Sequence, residues 1–137
     1  MNNFTRTVDM LHRAMNVGNL RHSVYADNLA NKDVPNFKRT EVNFESSLKR
    51  AILSEKYKPE FVMARNDPRH ISNWPQVDYQ SVRPRRVLDF TSTYINNGNN
   101  VDPEQEFNKL LKNQMLYTLF ANAATFEFGQ VSLVLRA

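Results

Sequence analysis

The side chains best suited to metal or acid-base chemistry are the three histidines, His12, His22 and His70. On one helix His12 and His22 would stand about 15 Å apart along the axis, too far to share an ion. His22 falls on an apolar helix seam and is read as a hydrogen-bonded core residue. There is no cysteine, which excludes disulfides, thiolate ligands and cysteine nucleophiles. The three glycines, Gly18, Gly98 and Gly129, are too scattered for a phosphate-cradling loop, and no nucleophile sits in a catalytic motif. These residues argue for neither an enzyme nor a metal or cofactor site.

The remaining chemistry is charge. The net charge is +4, and the excess lies in residues 37–100, with eleven basic against seven acidic side chains. It peaks at Arg83-Pro84-Arg85-Arg86, a cluster able to meet phosphates or an acidic partner. No nucleic-acid docking motif accompanies it, so it is read as a solvated loop. A basic nucleic-acid-binding module in the middle region is the alternative function, and its mark would be affinity that falls steeply with salt. The first residues, MNNFTRTVDMLHRAMNV, place Asp9, His12 and Arg13 where a signal peptide is apolar, so no cleaved signal peptide is expected.

The elements that position these residues follow from punctuation. All six prolines lie between Pro35 and Pro103, leaving both ends free to form long helices. The expected division is a helical segment over 1–33, an irregular middle over 34–100 and a second helical segment over 101–137. In the first, Phe4, Val8, Leu11, Met15, Gly18, His22, Tyr25 and Leu29 recur at spacings of four and three. The helix runs over 3–31, with Asn31 suited to a left-handed cap and Pro35 enforcing an extended exit. In the last, Phe107, Leu110, Gln114, Tyr117, Ala121, Ala124, Phe128, Val131 and Leu135 make the same alternation over 103–135. Asp102 caps its amides, Pro103 takes the first helical position and Gln105 completes a capping-box-like pair.

The fold class is mainly α, an antiparallel coiled-coil-like pair of terminal helices. Laying the seams together sets Leu29 opposite Phe107, Tyr25 opposite Leu110, His22 opposite Gln114 and Gly18 opposite Tyr117. Met15 then meets Ala121, Leu11 meets Ala124, Val8 meets Phe128 and Phe4 meets Val131. The middle is expected to hold a short helix through Phe44, Leu48, Ala51 and Ile52, capped by Asn43. A small hairpin is expected where Leu88, Phe90 and Tyr94 alternate with Asp89, Thr91 and Thr93.

Each terminal helix carries a second apolar stripe: Met10, Val17 and Val24 in the first, and Leu119, Phe126 and Leu133 in the last. A helix apolar nearly all round needs a large core, lipid or an assembly. A chain of 137 residues cannot wrap two such rods, and Asn122, Glu127 and Gln130 interrupt any membrane span. Direct membrane insertion is therefore not expected, and the second stripes are read as intersubunit surfaces.

Asn28-Leu29-Ala30-Asn31, followed by Pro35 and Phe37, resembles the signature N-[LI]-A-N-x-x-T-P-G-[FY] of the bacterial flagellar rod proteins. Val34 replaces the usual threonine and Asn36 the usual glycine. Asn66-Asp67-Pro68-Arg69-His70-Ile71 is similar to a mid-chain motif of the same family. Gly98, Asn99, Asn100, Val101 and Asp102, followed by Glu106, Asn113, Gln114 and Tyr117, resemble the G-N-N-V-D motif of proximal rod subunits. The resemblance covers roughly 1–44 and 96–137. It implies a structural subunit that self-assembles into the proximal rod, transmits torque and spans the periplasm. The partners it implies are other copies, other proximal rod subunits, the membrane-ring/rod junction protein and the flagellar export apparatus, with no nucleic acid.

Overall fold

Helix α1 spans Asn3–Ala30, β1 Thr40–Asn43, α2 Glu45–Lys56, β2 Arg85–Leu88 and α3 Pro103–Arg136, with one 3-10 turn at Tyr79–Ser81. The computed structural model describes residues 2–57, 61, 63, 64, 66, 67, 69–71 and 76–136. The chain divides into two compact units, Met1–Val42 with Arg86–Ala137, and Asn43–Arg85. The first unit is an antiparallel pair of long helices. With 28 and 34 residues, α1 and α3 are about 42 and 51 Å long at the usual rise per residue. Their direction is fixed by three meetings along their length. Asn28 bonds Glu106, Gly18 lies against Tyr117, and the rings of Phe4 and Phe128 stack edge to face with centroids 5.9 Å apart.

Helix α3 starts as its sequence dictates. Asp102 Oδ1 accepts from the amides of Glu104 and Gln105 at 3.0 and 3.2 Å, which satisfies donors the helix cannot pair internally. Gln105 does not close a capping box; its Oε1 accepts from Arg39 Nη1 at 2.9 Å, because a charged donor outcompetes a backbone amide. Nor is Asn31 left-handed. Its φ is −99°, and its side chain turns back to donate to Asp27 O at 2.7 Å. The left-handed residue is Asn36, with φ 60°. Asparagine is the residue after glycine that best tolerates this conformation, and it stands where the rod signature has glycine.

The strands β1 and β2 form a two-stranded antiparallel sheet. The second strand lies earlier than the alternation of residues 88–94 suggests. Arg85 and Arg86 open it, so part of the basic cluster read as a loop is strand. Residues after Leu88 leave the ladder because Asp89 folds its carboxylate onto the Thr91 and Ser92 amides. Asn43 ends β1 and accepts from the Ser46 hydroxyl at 2.7 Å rather than capping the amides of α2.

The second unit carries α2 and the 3-10 turn, with Phe44, Ala51, Tyr79 and Val82 buried. Ser54 Oγ accepts from Val77 N at 3.0 Å and links the two. Asp67 makes a turn with Arg69 and His70; Pro68 of the same mid-chain motif lies outside the described residues. Among the described residues no helix is long and apolar enough to cross a membrane.

Candidate functional site

Two sequence motifs, Asn28 to Asn31 and Gly98 to Asp102, meet at the end of the helix pair where α1 stops and α3 starts. Asn99 is buried and donates to the carbonyls of Asn31, Lys32 and Val34 at 3.0, 2.9 and 2.8 Å. Those carbonyls belong to the turn that carries the chain out of α1, whose last residue is Ala30. Its own Oδ1 accepts from Val101 N at 2.7 Å, so one side chain terminates α1 and shapes the entry to α3. Asn28 performs the reciprocal task. Its Oδ1 accepts from Thr40 N and its Nδ2 donates to Thr40 O, both at 2.9 Å, so the amide pairs with β1 as another strand would.

The same Nδ2 donates to Glu106 Oε2 at 2.9 Å. Glu106 is 1% exposed, and a carboxylate so buried is tolerable only when paired. Lys109 Nζ lies 3.1 Å and Arg39 Nη1 3.5 Å from Oε1, and the first turn of α3 adds its positive dipole end.

Arg39 ties in the remaining strands. Its Nε donates to Asp89 Oδ2 at 3.0 Å, its Nη2 lies 3.1 Å from Glu41, and its backbone amide donates to Asn100 Oδ1 at 2.7 Å. Asn100 in turn donates to Asp89 O at 2.7 Å. Burial alone would lower the Arg39 pKa, but the Asp89 hydrogen bond and the charges of Glu41, Asp89 and Glu106 outweigh it and raise it. The Ser92 hydroxyl, the Thr91 amide and the Arg39 guanidinium hold the Asp89 carboxyl well below the usual carboxylate range. This is a polar clasp with every buried side-chain polar atom satisfied among the described residues. It fastens rather than reacts, and no group of three or more His, Asp or Glu among those residues could hold a metal.

Along the helix pair, the contact differs from the apolar seam in its polar members. His22 and Gln114 are exposed, and both line a cavity of about 160 Å³ with Gly18, Asn19, Asn113 and Tyr117. The polar link here is Asn113, which is buried and donates to Gly18 O at 2.9 Å. Phe4, Val8, Leu11, Met15, Tyr25, Leu29, Leu110, Ala121 and Ala124 are half-buried, whereas Phe107, Tyr117, Phe128, Val131 and Leu135 are exposed.

The second stripes fare differently on the two helices. Val17 and Val24 are 4% and 2% exposed. They are closed off inside the chain, which corrects their reading as an intersubunit surface; Met10 is half-buried. Both α1 stripes are apolar, and only the docking of α3 and β1 decides which one is covered. On α3 the stripe is open: Leu119, Phe126 and Leu133 are exposed, Phe126 by 65%, together with Leu111, Met115 and Leu116. Arg39 and Asp89 carry no periodicity or motif that singles them out. Their importance comes from three-dimensional neighbours alone.

No family model matches the chain. Among curated proteins it is 44% identical over 136 residues to the flagellar basal body rod protein FlgB of Borreliella burgdorferi, covering 99% of this chain and 100% of that one. To the protein of that name from Borrelia hermsii it is 43% identical over 136 residues, with the same shares. To the one from Bacillus subtilis it is 28% identical over 135 residues, 98% of this chain and 97% of the relative. With near-complete coverage at such identity, and with both rod motifs locked into one clasp, the chain belongs to the family of the flagellar basal body rod protein FlgB and is a component of the flagellar basal body rod.

Proposed function

We infer that the chain is a proximal rod subunit that self-assembles through the outer face of α3, packing against other copies of itself and other proximal rod subunits. The rod so built spans the periplasm and carries torque. The observation that supports this reading is the open apolar stripe of Leu119, Phe126 and Leu133. A contiguous apolar face on a helix whose other side is already docked needs a protein neighbour. The clasp suits the task, because a torque-bearing subunit must keep its two helices in fixed register under load.

The membrane-ring/rod junction protein and the flagellar export apparatus are the further partners of this reading. Passage through that apparatus replaces a cleaved signal peptide. Neither nucleic acid nor membrane insertion enters it. The test is Phe126→Asp: the variant should be made and exported but build no rod, leaving cells non-motile. Normal motility would overturn the reading.

A further inference from the structure

A cavity of about 310 Å³ lies beside the clasp, with Arg21, Tyr25, Glu41, Lys109, Lys112 and Leu116 in its lining, all within the first unit. Ligand pockets run from about 300 to 1,000 Å³, so this one suits a side chain better than a cofactor. Those residues carry three cations and one carboxylate. The carboxylate is already engaged, because Glu41 lies 3.1 Å from both Arg39 and Lys109. Arg21 is held against β1 by donating to Val42 O at 3.3 Å. Lys112 is exposed, and neither its amine nor the Tyr25 hydroxyl has a hydrogen bond among the described residues. Burial raises the Tyr25 pKa despite the opposing charges of Arg21 and Lys109, which keeps the hydroxyl a donor at neutral pH. The cavity is rich in donors and short of an acceptor. A carboxylate meets that need, because it only accepts and because charged partners strengthen each bond.

Lys112 also continues the open stripe of α3. Lys112, Leu119, Phe126 and Leu133 stand seven apart and so share one helix face, with Leu116 between the first two. A helix laid along that face meets apolar side chains over most of its length and a cation at the end nearest the clasp. This chain does not supply such a helix. The described exposed residues of α1 include no large apolar side chain, and those of α2 include only Leu53. Helix α3 has an apolar face, but its sole acid after Glu106 is Glu127, which is half-buried and off the heptad of the stripe.

We propose that a helix of a different rod subunit lies along the α3 stripe and places an Asp or Glu side chain in the cavity, against Lys112, Arg21 and Tyr25. This rests on the assembly reading above and gives the neighbour a chemistry, apolar heptads that end in an acid. The acid sets the register, because an apolar stripe alone lets two helices slide by a turn, whereas a charge pair has one position.

The test uses purified basal bodies and a water-soluble carbodiimide. The reagent activates a carboxylate, and a lysine amine in contact with it displaces the activated group as a urea and forms an amide. Mass spectrometry of the digest should find Lys112 joined to an Asp or Glu of a different rod subunit. Lys112 joined only to acids of this chain, in the same copy or another, would overturn the proposal, as would no linkage at Lys112. In cells, the full-length Lys112→Glu chain should enter the rod about tenfold less than wild type, the loss expected when an interfacial charge pair becomes a repulsion. Its melting should be unchanged, and Lys112→Arg should enter normally. Normal entry of Lys112→Glu alongside failure of Phe126→Asp would overturn the acid contact and leave assembly through α3 standing. Normal entry of Phe126→Asp would sink both.

Discussion

Asn28 Nδ2 lies 2.9 Å from Glu106 Oε2, joining two buried side chains 78 residues apart in sequence. The bond connects the last turn of α1 to the first turn of α3. Through Thr40 it also carries β1.

Glu106→Ala removes the acceptor shared by Asn28, Lys109 and Arg39. Breaking a buried ion pair from one side typically costs about 3–5 kcal/mol. Chemical denaturation should show a loss of that size, whereas Glu104→Ala, at the exposed neighbouring position, should stay within about 0.5 kcal/mol.

Asn99→Ala removes the side-chain donor shared by three carbonyls in the turn that follows α1. About 1–2 kcal/mol should be lost, because the buried Asn99 amide is removed while the Asn31 and Val34 carbonyls keep the backbone amides of Val34 and Phe37 as donors. Amide exchange in residues 28–34 should accelerate more than in the middle of α1, and uniform acceleration along the helix would show that Asn99 acts elsewhere.

Two glycine substitutions should have opposite signs. At Gly18 an added Cβ would sit 3.4 Å from Tyr117 Cδ2, an ordinary contact. Gly18→Ala should therefore gain the helix propensity that glycine lacks, up to about 1 kcal/mol, while Gly18→Leu collides with the Tyr117 ring. At Gly98 φ is 81° and a Cβ would come within 2.6 Å of Asn36 Oδ1, so Gly98→Ala should destabilise by about 1–2 kcal/mol. Thermal melts of the three variants check both signs.

Acid should loosen the clasp through Asp89. Its carboxyl is held below its ordinary value in the folded chain, so below neutrality the unfolded chain binds more protons, and stability rises with pH there. The contribution is complete above the unfolded carboxylate value of about 4 and fades as pH falls further toward the depressed folded value. The stability difference between wild type and Asp89→Asn, followed by melting from neutral pH into acid, should shrink as the pH drops. A difference that grows in acid would contradict the assignment.

Much of this architecture is legible in residue order. The expected helix spans, 3–31 and 103–135, agree with α1 and α3 to within a residue, and Asp102 and Pro103 mark the start of α3 by local chemistry alone. What escapes is the choice between stripes that look alike. Val17 and Val24 read the same as Leu119 and Phe126, yet the first pair is covered and the second is open. Periodicity finds apolar positions but cannot say which partner arrives. The helix contact also uses Asn28, Glu106 and Asn113, which an apolar pattern passes over because their burial depends on hydrogen bonds from distant segments. β1 and β2 pair across a long stretch of chain, so the alternation near Leu88 suggests a strand but not its partner.

The most direct measurement is imaging of purified basal bodies at side-chain resolution. The chain should form part of the central rod with the Asn28 to Glu106 bond intact and Leu119, Phe126 and Leu133 covered by neighbouring subunits. A rod in which this stripe faces solvent, or which lacks this chain, would contradict assembly through α3.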